Sequence, residues 1–204
     1  VRDETVKDLP NSRRFPRKST LLDLYSRAVD TGTPIAEVVV AMAPWASDQA
    51  EPIGAVCKAY IARKRRLGLL DFDDLLLHWR QALRDDLVGA SLARMYDHVL
   101  VDEYQDVNVL QVKILQSLRR TDPRLTVVGD DAQAIYSFRA SDPRHILDFD
   151  QDFPGATTLH LSTNYRSTQA LLDTANALAD DAPAGFSTRL RAADPQPATS
   201  PRLI

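Results

Sequence analysis

Three short apolar runs, each followed by polar residues, constrain the fold of this chain more than any other feature of its sequence. The runs are residues 99–101, 125–128 and 157–161, and valine, leucine and threonine make up most of them. Stretches with helical periodicity separate the runs. Short buried strands that alternate with helices are typical of a parallel sheet covered by helices, so we predict an α/β fold.

The chain before the first run is predicted to be helical. Apolar residues at helical spacing predict helices over about residues 21–28, 33–43, from 47 or 52 to 67, 71–84 and 91–96, and a further helix at 106–118 between the first two runs. Gly68 is a suitable stop for the third of these helices. The first third of the chain therefore forms a helical unit in this prediction.

The run at residues 99–101 leads directly into two adjacent carboxylates, Asp102 and Glu103. A nucleotide-hydrolysing site needs such a pair, because one carboxylate can hold Mg²⁺ while the other orients and deprotonates the attacking water. The alternative is a strand that runs into a helix N-terminus, where the helix dipole favours acidic residues. The motifs that follow argue against this simpler explanation.

The second run ends in Gly-Asp at residues 129–130, and Gln133 follows. The side chain of Gln133 can contact a γ-phosphate or the attacking water. Further on, Phe138 lies next to Arg139, and together with Tyr136 they offer stacking and cationic contacts for single-stranded DNA. An aromatic residue beside an arginine is, taken alone, more often ordinary packing next to a surface charge.

The third run precedes Asn-Tyr-Arg-Ser at residues 164–167. Arg166 can act as an arginine finger that stabilises transition-state charge, and Tyr165 can stack on a base. The carboxyl ends of parallel strands meet at one edge of a sheet. We therefore expect Glu103, Gln133 and Arg166 to converge on one site.

These blocks, in this order and spacing, resemble the UvrD/Rep/PcrA group of superfamily 1 DNA helicases. The motifs of that group read Asp-Glu-x-Gln-Asp, Gly-Asp-x-x-Gln-Ser-Ile-Tyr-x-Phe/Trp-Arg-Gly-Ala and Asn-Tyr-Arg-Ser. The sequence Leu-Asp-Phe-Asp-Asp-Leu-Leu at residues 70–76 also resembles a helix start of the group. The resemblance covers about residues 50–180. Ala134 and Ala140 depart from it, since the group has serine and glycine there.

The resemblance implies a RecA-like P-loop NTPase core with an N-terminal helical subdomain. Residues 1–67 would be the end of an inserted helical subdomain, 68–163 the second half of the first RecA-like core, and 164–204 the start of the second core with a tail. The implied ligands are ATP, Mg²⁺ and single-stranded DNA with duplex junctions. The implied roles are metal binding by Asp102 and catalysis by Glu103, Gln133 and Arg166. Nucleotide contacts are implied for Asp102, Gln133, Tyr165 and Arg166, and DNA contacts for Tyr136, Phe138 and Arg139.

One part of the ATPase machinery is absent from the sequence. None of the seven glycines is followed by lysine, so the chain has no Gly-x-x-x-x-Gly-Lys-Ser/Thr phosphate loop. We therefore expect the chain alone to lack ATPase and helicase activity. The strand that leads into that loop is also expected to be missing from the sheet, and its absence would leave strand edges free for self-association.

Composition excludes some classes of protein and leaves others open. The net charge of −3 does not indicate a nucleic-acid partner, and the basic runs at 13–18 and 63–66 are more often solvated surface. No apolar stretch approaches the roughly 18 residues of a membrane span. A single cysteine, Cys57, fits a reducing compartment, and we expect a cytoplasmic protein.

The resemblance implies a 3′-to-5′ DNA translocase that acts in repair or replication, and two alternatives to this function remain. One is a non-hydrolysing module that holds single-stranded DNA with the aromatic and basic residues. The other is a metal-dependent nuclease built on the carboxylates Asp102, Glu103, Asp106 and Asp130. The nuclease hypothesis does not explain Gln133 or Arg166.

Overall fold

The computed structural model describes residues 15–135, 140–180 and 188–194. Within these ranges the helices are α1 (Lys18–Thr31), α2 (Ile35–Met42), α3 (Ala50–Leu67), α4 (Phe72–Arg84), α5 (Asp86–Ala93), α6 (Val109–Leu118), α7 (Arg144–Leu147), α8 (Phe149–Asp152) and α9 (Gln169–Asp180). The strands are β1 (Val99–Val101), β2 (Leu125–Val127), β3 (Thr163–Asn164) and β4 (Arg191–Ala192). Short 3₁₀ turns cover Pro44–Gln49, Tyr104–Asp106 and Asp131–Gln133.

Helices α1 to α3 enclose a core of their own, as the sequence predicts for a helical unit. Leu24, Val39 and Ile53 are almost fully buried in it. Gly68 ends α3 with a left-handed backbone, φ +63°, which a glycine adopts without steric cost. The predicted end of this helix is thus confirmed.

A buried lysine joins this helical unit to the start of α4. Lys64 Nζ, on α3, lies 2.5 Å from Asp71 Oδ2 and 2.6 Å from Asp74 Oδ2. It also donates a 3.2 Å hydrogen bond to the hydroxyl of Tyr25 on α1, and Tyr60 donates to Asp71 Oδ2 at 3.0 Å. Both tyrosine rings lie within about 5 Å of the ammonium group, as in a cation–π contact.

Side-chain caps account for two differences between the predicted and the observed helix bounds. The fifth helix covers Asp86–Ala93 rather than 91–96, because the carboxylate of Asp85 accepts the free N–H groups of Leu87 and Val88. The helix expected at 106–118 begins only at Val109, since Asn108 caps it in a reciprocal pair with Gln111.

Strands β1 and β2 are parallel, as predicted, with Val99 opposite Leu125 and Val101 opposite Val127. Below them, α4 and α6 contribute an apolar core of Leu83, Leu110, Ile114 and Leu118. The backbone continues the pairing past the strands, because Val128 N donates to Val101 O at 2.8 Å. Both strands therefore deliver the residues that follow them to the same edge.

The third apolar run does not join this sheet, so the prediction of one sheet from all three runs was wrong. Residues 157–161 form no strand, and Leu159 and Leu161 are about 80% exposed. Two residues further on, β3 pairs in parallel with β4 in a separate sheet of two strands. The alternation of residues 157–161 suits a strand, but a strand also needs a neighbour to accept its hydrogen bonds, and the described chain supplies none there. The architecture is thus mixed helix and strand with two small parallel sheets.

None of the helices in the described ranges has both the length and the apolar character that crossing a membrane would require.

Candidate functional site

Asp102 and Glu103 directly follow β1 and are exposed at its carboxyl end. Asp102 Oδ1 accepts a 3.0 Å hydrogen bond from the backbone N–H of Glu103. Glu103 has φ +53°, a left-handed conformation that costs a non-glycine residue roughly 1 kcal/mol. A residue keeps an unfavourable backbone conformation of this kind only where contacts with the surrounding structure hold it in place. Here the next residue is fixed, because the N–H of Tyr104 donates to Val128 O at 2.9 Å.

The buried side chain of Gln105 connects this acidic pair to the loop after β2. Its amide nitrogen donates to Glu103 Oε2 at 2.7 Å, and its amide oxygen accepts from the backbone N–H of Asp130 at 3.0 Å. The residue is only 2% exposed. The amide group of Gln105 is therefore largely shielded from water, and the loss of a partner would be costly for it.

The side chain of Asp130 in turn binds Gln133. Asp130 Oδ1 accepts the N–H of Ala132 at 3.0 Å, and its Oδ2 accepts a 2.7 Å hydrogen bond from the side-chain amide of Gln133. Gln133 is exposed at the end of a short 3₁₀ turn. Glu103 and Gln133, two residues predicted to act together, are thus linked through Gln105 and Asp130.

Gly129 allows the two loops to approach each other this closely. A Cβ atom at this position would lie 2.7 Å from Gln105 Oε1 and 2.7 Å from Ile146 Cδ1. Real Cβ atoms do not come so near to other heavy atoms, so any side chain here would displace the amide of Gln105 or the packing of α7.

The third motif forms a local turn after β3. Asn164 Oδ1 accepts hydrogen bonds from the backbone N–H groups of Arg166 and Ser167, at 2.9 and 2.7 Å. Tyr165 is 87% exposed, and within the described residues the guanidinium of Arg166 makes no hydrogen bond or ion pair. Arg166 is therefore not joined to the Glu103–Gln133 connection, and its convergence on that edge stays a prediction.

Tyr136, Phe138 and Arg139 lie outside the described residues. Directly after them, Ala140 is buried and has φ +64°. This backbone favours glycine, which gives a physical reason for the glycine of the helicase pattern at this position. The chain is then held by an antiparallel bridge between Ser141 and Asn108.

The donor atoms at the end of β1 suit a hard cation such as Mg²⁺, which prefers carboxylate oxygens. Of the two carboxylate oxygens of Asp102, only Oδ1 takes part in a described hydrogen bond. No group of three His, Cys, Asp or Glu side chains in the described ranges could hold a metal ion by itself. Mg²⁺ in nucleotide sites commonly needs only one or two carboxylates besides phosphate and water oxygens. Asp102 and Glu103 therefore fit a magnesium ion that is bound together with a nucleotide.

A cleft of about 440 Å³ lies elsewhere, between α1 and α3. It is lined mainly by apolar side chains, among them Leu21, Val56 and Leu69. None of the predicted site residues lines it.

Sequence reasoning missed Gln105 and the steric reason for Gly129. The signal for Gln105 was present, because it is the glutamine in the Asp-Glu-x-Gln-Asp pattern. A pattern does not reveal which partner a buried amide binds. Only the parallel pairing of β1 with β2 brings residue 105 next to residue 130.

Comparison with known proteins gives a consistent result. Residues 7–154 match a family model described as the UvrD/REP helicase N-terminal domain. The chain is 44% identical over 131 residues to the ATP-dependent DNA helicase UvrD2 of Mycobacterium tuberculosis (strain ATCC 25618 / H37Rv), which covers 62% of this chain and 19% of that protein. It is 41% identical over 134 residues to the ATP-dependent DNA helicase PcrA of Leuconostoc citreum, covering 63% and 17%. It is 39% identical over 132 residues to the ATP-dependent DNA helicase Rep of Escherichia coli (strain K12), covering 64% and 20%. The matched segment spans a fifth or less of the length of these relatives.

Proposed function

Because this chain belongs to the UvrD/REP helicase N-terminal domain family, we propose that it is part of an ATP-driven motor that moves 3′ to 5′ along single-stranded DNA. The relatives are named ATP-dependent DNA helicases. The observation that carries the proposal is the hydrogen-bonded connection from Glu103 through Gln105 to Asp130 and Gln133. A motor needs such a connection between the residues that act on ATP and the loop that leads to its DNA contacts.

The proposed roles follow from the chemistry of each side chain. Asp102 would hold Mg²⁺, which neutralises phosphate charge when it is bound. The carboxylate of Glu103 would orient the attacking water and take its proton. Gln133 and Arg166 would contact the γ-phosphate, and Tyr165 would lie against the base of ATP. Tyr136, Phe138 and Arg139 would hold single-stranded DNA, including strands at duplex junctions.

We also propose that the chain is one portion of a RecA-like motor. Residues 1–67 would belong to a helical inserted subdomain, 68–163 to the first RecA-like core, and 164–204 to the start of the second. The parallel pairing of β1 with β2 and the separate core of α1 to α3 support this division. We further propose that the motor acts in the reducing cytoplasm, in DNA repair or replication.

The chain alone should not hydrolyse ATP, because it contains no glycine-rich loop with a lysine to cradle the phosphates. Phosphate release by the purified chain, with Mg²⁺, ATP and single-stranded DNA, is expected to stay at background. Robust DNA-stimulated release would contradict this part of the proposal.

Joining the chain to an upstream segment that carries a Gly-Lys-Ser/Thr loop tests the motor function directly. The joined protein should show DNA-stimulated ATP turnover, and Glu103→Gln should abolish the turnover. The matched control is Glu37→Gln, an exposed glutamate on α2 that should leave turnover unchanged. If the joined protein binds both ATP and DNA without turnover, the alternative of a non-hydrolysing DNA-binding module is correct.

Self-association through the open sheet is a related proposal. In the described chain β1 and β2 pair only with each other, and Leu100 is 76% exposed on their surface. Exposed strand edges beside apolar side chains favour pairing with another copy. Light scattering should show species larger than a monomer at high concentration, and a monomer throughout would refute the idea.

A further inference from the structure

We propose that Gln105 is a positioning residue that ties the carboxylate of Glu103 to the backbone at Asp130, so that a displacement of one is transmitted to the other. The inference rests on the proposed function and adds to it a residue that takes no part in the chemistry itself. Gln105 would hold the carboxylate of Glu103 in place, and it would move the loop after β2 whenever that carboxylate moves.

The two hydrogen bonds of Gln105 use opposite ends of one amide group. The carboxylate of Glu103 can only accept, so it must face the amide nitrogen. The backbone N–H of Asp130 can only donate, so it must face the amide oxygen. One planar group therefore fixes both loops at once, and turning it over would break both contacts.

Burial makes this link stiff. The side chain is 2% exposed, so water has little access to its amide group, although the carboxylate of Glu103 is itself exposed. On the other side Gly129 lies so close that no Cβ fits between the backbone and the amide oxygen.

Two substitutions of Gln105 separate its two functions. Gln105→Met has a similar length and can neither donate nor accept. In its ionised form Gln105→Glu can still accept from Asp130, but it cannot donate to Glu103 and places a second negative charge beside it. The loop contact is thus lost in the first variant and kept in the second, whereas the hold on Glu103 is lost in both.

Amide hydrogen exchange of the 204-residue chain, measured by NMR, tests the loop contact without any ATP turnover. The Asp130 amide should exchange about tenfold faster in Gln105→Met, the equivalent of one lost hydrogen bond, and at the parent rate in Gln105→Glu. Val128, whose N–H donates to Val101 O, is the internal reference and should not change. An unchanged Asp130 rate in Gln105→Met would overturn the proposal, as would equal acceleration of Asp130 and Val128.

Gly129→Ala disturbs the same contact from the opposite side and serves if Gln105→Met does not fold. Its Cβ would lie 2.7 Å from both the amide oxygen of Gln105 and Ile146 Cδ1, so both side chains must move, and the Asp130 amide should again exchange faster while Val128 stays protected. Gly54→Ala is the matched control, because its Cβ meets only an ordinary contact at 3.5 Å. Equal exchange rates in Gly129→Ala and the parent would overturn the proposal.

Turnover by the joined protein described above tests the hold on Glu103. Both Gln105 variants should lower kcat at least tenfold while KM for ATP stays within about twofold, because the acid is misplaced but the nucleotide contacts remain. Gln81→Met, an exposed glutamine on α4, should change neither constant. A rise in KM with unchanged kcat would overturn the positioning role. If the parent itself shows no turnover, the motor function fails while the exchange experiment still decides the fate of Gln105.

Discussion

Replacing Lys64 with methionine should destabilise the chain more than the loss of any exposed cation. The ammonium group is buried, and two carboxylates lie 2.5 and 2.6 Å from it. Methionine fills a similar volume and keeps the apolar contacts of the lysine stem. The substitution therefore removes the charge and leaves Asp71 and Asp74 close together without their cation.

The magnitude follows from what remains around the two carboxylates. Removing one partner of a buried ion pair commonly costs about 3–5 kcal/mol. Here Asp71 keeps the hydrogen bond from the Tyr60 hydroxyl, and the two aspartates keep backbone N–H donors within the cap of α4. Their side chains are also 24% and 15% exposed, so water relieves part of the repulsion. We expect a loss of about 2–4 kcal/mol.

Urea unfolding followed by circular dichroism measures this loss. With a slope of about 3 kcal/mol per molar urea, the midpoint should fall by roughly 1 M. Arg65→Met is the matched control, since Arg65 is an exposed neighbour on α3 whose loss should cost less than about 0.5 kcal/mol. Equal midpoints for the two variants would refute the account of Lys64 as the centre of a buried network.

The dependence on pH gives a second check. Burial raises the pKa of Asp71, but hydrogen bonds, the first of them from Lys64, outweigh burial and hold the pKa below its usual value. A group with a lowered folded pKa stabilises the protein above its unfolded pKa, and this contribution is lost as pH falls through the folded pKa. The difference between parent and Lys64→Met should therefore shrink below about pH 4. A difference that stays constant down to pH 2 would contradict the ionic origin of the effect.

Other substitutions test separate features of the fold. Gly89→Ala should cost about 2–4 kcal/mol in thermal unfolding, because its Cβ would lie 2.3 Å from the carbonyl oxygen of Leu83. Gly54→Ala, inside α3, should instead stabilise by about 0.5–1 kcal/mol through helix propensity, and equal effects of the two changes would refute the steric argument. Burial, followed by repulsion from Asp73, raises the pKa of Asp30 to about 6, so its stabilising contribution is present below about pH 4 and is lost as pH rises through 6. Asp30→Asn should thus stabilise the chain by about 1 kcal/mol at pH 7.5, after allowance for partial exposure, and should not do so at pH 4. An equal gain at both values would show that charge is not the cause.

Local signals in the sequence were sufficient for α1 to α4 and for the first two strands, whereas α7 to α9 were not predicted. Gly68 predicts the end of α3, and the apolar pattern over residues 71–84 predicts α4 to within one residue of its start. Such signals depend on residues within one or two turns of each other, so they survive in a wide range of tertiary settings. The bounds of α5 and α6 were missed because a side-chain cap outweighed the apolar pattern.

Long-range pairing was harder to predict. The pattern at residues 157–161 has the alternation of a strand, but a strand forms only where another offers its edge. In the same way, the sequence places Glu103 and Gln133 at the ends of two strands without indicating the buried amide that joins them. For Arg166 the sequence supplied a motif, and the described contacts of that residue are confined to its own turn.

The neutral character of Gln105 has a consequence for the environment in which this connection works. A primary amide neither gains nor loses a proton at any acidity in which the protein stays folded. The amide that joins the two loops therefore keeps its donor and its acceptor in acid and in alkali, whereas a histidine or a carboxylic acid at this place would gain or lose a donor on titration.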